Sequence, residues 1–224
     1  MTELIAGLIS QSKDTSFTHR LYGQTLAVSF SLPRLVLSWA AYHGGFRQQV
    51  SHIVIHQKSS TPMQSARQAA SHLGLRGTVV GMTTQADLHY SVVTASDAEL
   101  QACAITNVDC SNLASVGDPT NFEDDQLQQI HATAINIILI TNYRFTQEAM
   151  LEALAISTEA KTKAMYEFGF RSRTGEPASG GKADCVAIAV GPERRYERCA
   201  KDTKWGELIG RASLEGVRKA LAGC

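Results

Sequence analysis

Apolar residues along this chain fall into runs with two different periods. Thr133–Thr141 and Asp184–Val190 are apolar on both faces, as strands covered from each side would be. Thr25–Ser31 and Arg34–Trp39 are rich in β-branched and aromatic residues and are interrupted by Pro33, so they read as two strands or one bent strand. Ser51–His56 is a further apolar segment, Gly77–Thr83 a short strand, and Gln101–Asp109 a strand with Ala102, Ala104, Thr106 and Val108 on one face. Ala86–Val93 fits either period. Helical spacing begins at Pro62–Leu73, where Ala66, Ala69, Ala70 and Leu73 align and Gly74 stops the run. A second helix is expected from an N-cap at Thr146, with Leu151, Leu154, Thr158, Thr162, Met165 and Phe168 as its buried stripe and Gly169 at its end. A last helix opens near Asp202 or Thr203 and buries Trp205, Leu208, Ile209, Ala212, Val217, Ala220 and Leu221. Tyr42–Gly45 reads as a turn, and 112–129 and Arg171–Gly181 as loops.

Strands apolar on both faces need cover from helices or a second sheet. No linker interrupts the composition. The expected fold is α+β, one domain over residues 1–224, with 1–24 as an N-terminal extension and mixed sheets flanked by helices.

Composition narrows the function classes. The 224 residues carry 21 Lys+Arg and 21 Asp+Glu, a net charge of zero. That gives no electrostatic footprint for nucleic acid or anionic lipid. Five cysteines, an odd number without a Cys-x-x-Cys pair, suggest a reducing compartment, each being a small buried hydrophobe or a free thiol. No signal peptide is evident, and no apolar stretch approaches the ~20 residues of a membrane span. A cytoplasmic location is expected.

Familiar motifs fail on spacing. Counted from Gly175, the position where a phosphate loop needs Lys holds Gly181, and a strand rather than a helix follows. No Gly-x-Gly-x-x-Gly run is present. His52 and His56 would share a strand face, with His43 nearby, but no Glu follows the first histidine as in zinc proteases. No metal site is expected, and a substrate-contacting or hydrogen-bonded histidine is preferred.

From Thr158 onward the residues become specific. Thr158–Ala164 is followed by Phe168-Gly169-Phe170-Arg171-Ser172-Arg173, then Pro177-Ala178-Ser179-Gly180, then Asp184 before an apolar strand, and finally Lys201–Ala212. Upstream stand Pro33–Ser38, His43-Gly44-Gly45, His52-Ile53-Val54, Gly77–Thr84, Gly117-Asp118-Pro119 and Ile135–Ile138. In order and spacing this resembles the adenosylcobinamide amidohydrolase family of corrinoid salvage, over roughly residues 25 to 221. The chain departs from the family pattern in three places. The usual Thr-Gly-Thr-Gly-Thr-Asp is here Ser179-Gly180-Gly181-Lys182-Ala183-Asp184, His-Thr-Lys-Leu-Gly-Glu is Asp202–Glu207, and an Asn in the early histidine run is Ile55. The late half is also faintly similar to the β-peptidyl aminopeptidase and ornithine acetyltransferase group. That similarity favours a four-layer α/β/β/α sandwich of two sheets over a doubly wound sheet, with an uncleaved chain.

The resemblance implies hydrolysis of the amide joining an aminopropanol arm to the corrin ring, giving adenosylcobyric acid. Amide cleavage needs an activated nucleophile, an oxyanion stabiliser and an acid for the departing amine. Candidates for these roles are Asp184, Lys161, Glu159, Lys204 and Glu207. Candidates for substrate contact are His43, Gly44, Gly45, His52, Asn136, Ser179, Gly180, Gly181 and Arg211. Beside these stand plainer readings: Glu159 with Lys163 as an exposed helix pair, Glu207–Arg211 as part of a surface ladder, and Asn136 as a brace. Trp39, Tyr42, Phe46 and Trp205 are first candidates for the core and second for a flat surface under the corrin. No cofactor is required on this reading. The corrinoid is substrate, and a homo-oligomer is compatible. The alternatives are a relative that binds a corrinoid or other metallocofactor without hydrolysis, and an amidase for another small amide.

Overall fold

The computed structural model describes residues 16–57, 61–119 and 133–224. In chain order its strands are β1 (Phe17–Tyr22), β2 (Thr25–Ser38), β3 (Gly45–Gln57), β4 (Thr78–Thr84), β5 (Tyr90–Asp97), β6 (Leu100–Val108), β7 (Leu113–Ala114), β8 (Ile135–Thr141), β9 (Tyr143–Phe145), β10 (Gly180–Gly181), β11 (Cys185–Val190) and β12 (Glu193–Tyr196). The helices are α1 (Pro62–His72), α2 (Gln147–Glu167) and α3 (Lys204–Leu221). Most of the expected 112–129 loop lies outside the described residues. β1 falls within the segment set apart as an extension, and it pairs antiparallel along the first half of β2.

One mixed sheet runs β4-β3-β2-β11-β8-β6-β5, with β1 added beside β2. β2 is the hinge of this sheet. Its first half pairs with β1, its second half with β11, and β3 follows its other edge throughout. The register with β3 slips around Arg34, next to Pro33, which cannot donate to a ladder. The two strands or one bent strand of the sequence are therefore one bent strand.

The bend folds the sheet onto itself. Leu26, Val28, Ile53, Ile55, Val80 and Met82 from one half meet Cys103, Ile105, Ile138, Ile140, Ala187 and Ala189 from the other in a shared core. The opposite face of the first half, at Ala27, Val54 and Val79, is covered by Ala70 of α1. The opposite face of the second half is covered by α2 and α3, through Met150, Ile156, Leu208 and Val217 on Ala104, Ile137 and Ile188. The molecule is α+β with four layers. The inner two belong to one continuous sheet rather than to the two sheets expected, because β2 crosses from one layer to the other without ending.

The expected stripe of α2 was rotated. Its buried face is Ala149, Met150, Ala153, Ile156, Ser157, Ala160, Lys161, Ala164 and Met165. Leu151 is 58% exposed and Phe168 43% exposed. Small residues face inward because α2 packs closely on α3, where Ser213 Oγ meets Ser157 Oγ at 3.2 Å. Thr146 caps the helix as expected, accepting from the Ala149 N–H at 3.1 Å. The cysteine reading also needs correction. Cys110, just after β6, is bonded to Cys224, just after α3, across 114 residues of sequence. An odd count hid a pair that only the final helix brings together.

Candidate active site

Asp184 is the last residue before β11. β11 runs parallel to β8 with Cys185 opposite Asn136, so Asp184 stands at the entry of β8. Cys185 faces the shared inner core. Strand alternation therefore turns Asp184 outward, beneath α2. There Lys161, on the buried face of α2, donates from Nζ to Asp184 Oδ2. The side chains are 10% and 12% exposed. The other carboxylate oxygen, Oδ1, accepts the main-chain N–H of Ile135 at 2.8 Å and of Gly181 at 2.9 Å.

The glycine loop covers this pair closely. Gly180 and Gly181 form β10 against Ala114 and Leu113 of β7. A Cβ on Gly180 would run into Asp184 Oδ2 and Lys161 Nζ. One on Gly181 would sit 2.6 Å from the Thr133 carbonyl. Only glycine lets the backbone come this near. Ser179 anchors the loop: its N–H donates to Ala114 O at 2.9 Å, and its Oγ accepts from Val116 N–H at 2.9 Å. Thr162 Oγ1, one residue beyond Lys161, donates to Ser179 O at 3.3 Å. The Gly181 N–H, from a residue expected to contact substrate, is used on the carboxylate instead.

Burial pushes the Asp184 carboxyl above its ordinary value, against the opposing pull of the Lys161 ammonium and the two N–H groups. That makes it a stronger base than a surface aspartate once ionised. Lys161 brings three ammonium donors, of which Asp184 takes one. The neighbouring thiol offers no nucleophile, because burial pushes Cys185 up to about 12 and keeps it protonated near neutral pH. Among the described residues no group of three or more His, Cys, Asp or Glu is placed to hold a metal ion.

Beside the pair lies the turn between β2 and β3. Trp39 donates its indole N–H to the Asp184 carbonyl at 2.5 Å, yet 47% of the residue is exposed. Its expected place was the core. His43 shares this turn, with a φ of 54°. Its Nδ1 is 3.0 Å from Val79 O. Gly44 is required because a Cβ there would meet Ala40 N at 2.9 Å. Gly45 opens β3 opposite Ser38. Asn136 is fully buried and donates from Nδ2 to Thr83 O at 3.0 Å, bracing β8 to β4 across the inner core. Its Oδ1 has no partner among the described residues.

Other candidates stand elsewhere. His52 lies on the first half of β2–β3, 2.8 Å from Ser29 Oγ through Nδ1 and 3.0 Å from Arg76 O through Nε2, so both nitrogens brace the fold. Glu159 is exposed and pairs with Lys201 at 2.7 Å rather than with Lys163. Lys204 bridges Glu207 at 2.7 Å and Asp97 at 3.0 Å, and Glu207 also meets Arg211 at 3.6 Å. Asp97 pairs with Leu100, whereas the Asp184 end of the sheet is at Asn107. Seven steps of β6 at about 3.3 Å each put the Lys204–Asp97 bridge about 20 Å from Asp184. Lys204, Glu207 and Arg211 form the surface ladder.

Sequence reasoning missed the contributions of main-chain groups, the Ile135 N–H and the Thr133 carbonyl, because they carry no residue-type signal. It also missed the exposure of Trp39. A tryptophan next to a turn was the available hint.

Comparison with known proteins gives one family match and several similar chains. The family model described as adenosylcobinamide amidohydrolase matches residues 9–224. An adenosylcobinamide amidohydrolase of Methanosarcina mazei is 25% identical over 192 residues, 79% of this chain and 86% of that protein. The uncharacterized protein MJ1613 of Methanocaldococcus jannaschii is 39% identical over 90 residues, 39% of this chain and 35% of that one. The match thus spans about a third of that relative. Among solved structures, the PH0078 protein of Pyrococcus horikoshii aligns with a TM-score of 0.42 at 10% identity, over 91% of this chain and 77% of its own.

Proposed function

We propose that this chain, which belongs to the adenosylcobinamide amidohydrolase family, hydrolyses the aminopropanol amide of adenosylcobinamide to adenosylcobyric acid. The observation that carries this reading is the buried Lys161–Asp184 pair under the Gly180–Gly181 loop. Asp184 takes a proton from water as the water oxygen bonds to the amide carbon. The ammonium of Lys161 faces the negative charge that develops on the carbonyl oxygen. The carbon–nitrogen bond then breaks, and the proton held by Asp184 passes to the departing amine. Water serves as the nucleophile in this reading; the adjacent Cys185 faces the inner core, and burial pushes its thiol up to about 12. No cofactor enters these steps, and the corrinoid's cobalt belongs to the substrate.

Incubation with adenosylcobinamide, followed by mass spectrometry for adenosylcobyric acid and free aminopropanol, tests the reaction. A second reading is binding without hydrolysis. It is favoured by the Ser179-Gly180-Gly181-Lys182-Ala183 loop, which lacks the threonines of the family pattern. Tight binding without product would support it, and neither binding nor product would point to another small amide. A cytoplasmic place belongs to the same proposal. The Cys110–Cys224 bond is the feature that weighs against it. Among the described residues no helix is long and apolar enough to cross a membrane.

A further inference from the structure

We propose that Trp39 is the residue on which the corrin macrocycle of the substrate rests, and so a determinant of substrate affinity rather than of the chemical step. This rests on the amidohydrolase reading above and deepens it. A tryptophan ordinarily buries its ring, as Trp205 does at 2% exposure. Trp39 is 47% exposed, yet its ring is not loose: the indole N–H is fixed to the Asp184 carbonyl at 2.5 Å. The turn that carries it is braced as well. Tyr42 N–H donates to Gly81 O at 3.1 Å, and Gly81 N–H returns to Tyr42 O at 2.9 Å. Tyr42 and His43 stack with ring centres 4.0 Å apart. Gly44 closes the turn where a Cβ would strike Ala40.

The result is a flat apolar surface, held in place before any ligand arrives, at the main chain of the residue proposed as base. Pre-fixed aromatic surface gives affinity without the entropy cost of ordering a mobile side chain. A large, flat, amphipathic ring whose scissile amide hangs from its rim fits that geometry. The face lies on Trp39, and the arm reaches toward Asp184.

Binding of adenosylcobinamide by equilibrium dialysis, together with kcat and KM, separates the possibilities in the wild type, Trp39→Phe, Trp39→Leu and Trp39→Ala. Circular dichroism melts report whether each variant is folded. Trp39→Phe keeps the ring and should stay within about threefold of the wild-type Kd. Trp39→Leu and Trp39→Ala should weaken binding by about tenfold or more, with kcat within about threefold. Should Trp39→Ala fail to fold, Trp39→Leu carries the comparison. Folded Leu or Ala variants that bind as the wild type does overturn the inference. So does a Phe variant as weak as Ala, which would assign the effect to the indole N–H. A wild type that binds without forming product overturns only the hydrolysis reading, and one that does not bind overturns both.

Discussion

Lys161, in the middle of α2, donates its ammonium to Asp184, 23 residues later and immediately before β11, with both side chains about nine-tenths buried. Two elements distant in sequence are thereby joined at one charge pair. Removing one member of such a pair strands the other charge away from water. Lys161→Met should therefore destabilise the protein by about 3 kcal/mol in urea unfolding. Asp184→Asn keeps an oxygen for the Ile135 and Gly181 N–H groups but leaves the Lys161 ammonium unpaired, and should destabilise on a similar scale. The double variant should be less destabilised than the sum of the singles by about 1 kcal/mol or more. Simple additivity would mean that the two groups are not coupled.

Gly180 tests the cradle. Its missing Cβ leaves room for both members of the pair. Gly180→Ala should push Asp184 and Lys161 apart and lower kcat by about tenfold or more, since small displacements of positioned groups have large kinetic effects. Gly181→Ala meets a main-chain carbonyl, which cannot swing aside, and should show chiefly as a lower melting temperature. Wild-type kcat in Gly180→Ala would remove the loop from the site.

The pH dependence has a defined sign. The proposed base works only when ionised, and burial raises the Asp184 carboxyl above the ordinary 3.8. Activity should therefore begin to fall, as pH is lowered, above the range where surface aspartates titrate. A kcat/KM profile measured downward from neutral pH locates this limb, and Asp184→Asn should abolish it. An acid limb at or below the ordinary value would contradict the assignment.

The bond between Cys110 and Cys224 ties the end of α3 to the strand end that leads into β7, the partner of the Gly180–Gly181 strand. A closed loop of 114 residues constrains the unfolded chain by about 5 kcal/mol in the chain-entropy account. Cys224→Ser, or reduction by a dithiol, should lower the melting temperature measurably. An unchanged melt of the oxidised protein and Cys224→Ser would show that the bond does not stabilise the fold.

Much of the architecture was legible because periodicity reports burial directly. β8 and β11 announced themselves as apolar on both faces, and Thr146 and Gly169 marked the ends of α2. Where periodicity misled, the cause was side-chain size. More than half of the buried face of α2 is alanine and serine, so the larger Leu151 and Phe168 drew the stripe to the wrong side. Asp184 could be singled out from its position between a glycine loop and a buried strand. Lys161 could be singled out as a lysine near an apolar stripe. Their pairing depends on how α2 crosses β11, which no local pattern encodes. The same limit explains His52 and Lys204. Each belongs to a suggestive run, yet the register places both away from Asp184, His52 on the first half of the sheet and Lys204 at the far end of β6.

The central claim is that Asp184, held by Lys161, activates water against the aminopropanol amide of adenosylcobinamide. Its most direct test is a mass-spectrometric time course for adenosylcobyric acid with wild-type protein and Asp184→Asn, both shown to be folded. The account predicts product from the wild type and a rate at least about 100-fold lower from Asp184→Asn, the scale on which general-base catalysis acts. Equal rates from the two proteins, or no product from a wild type that binds the substrate, would contradict it.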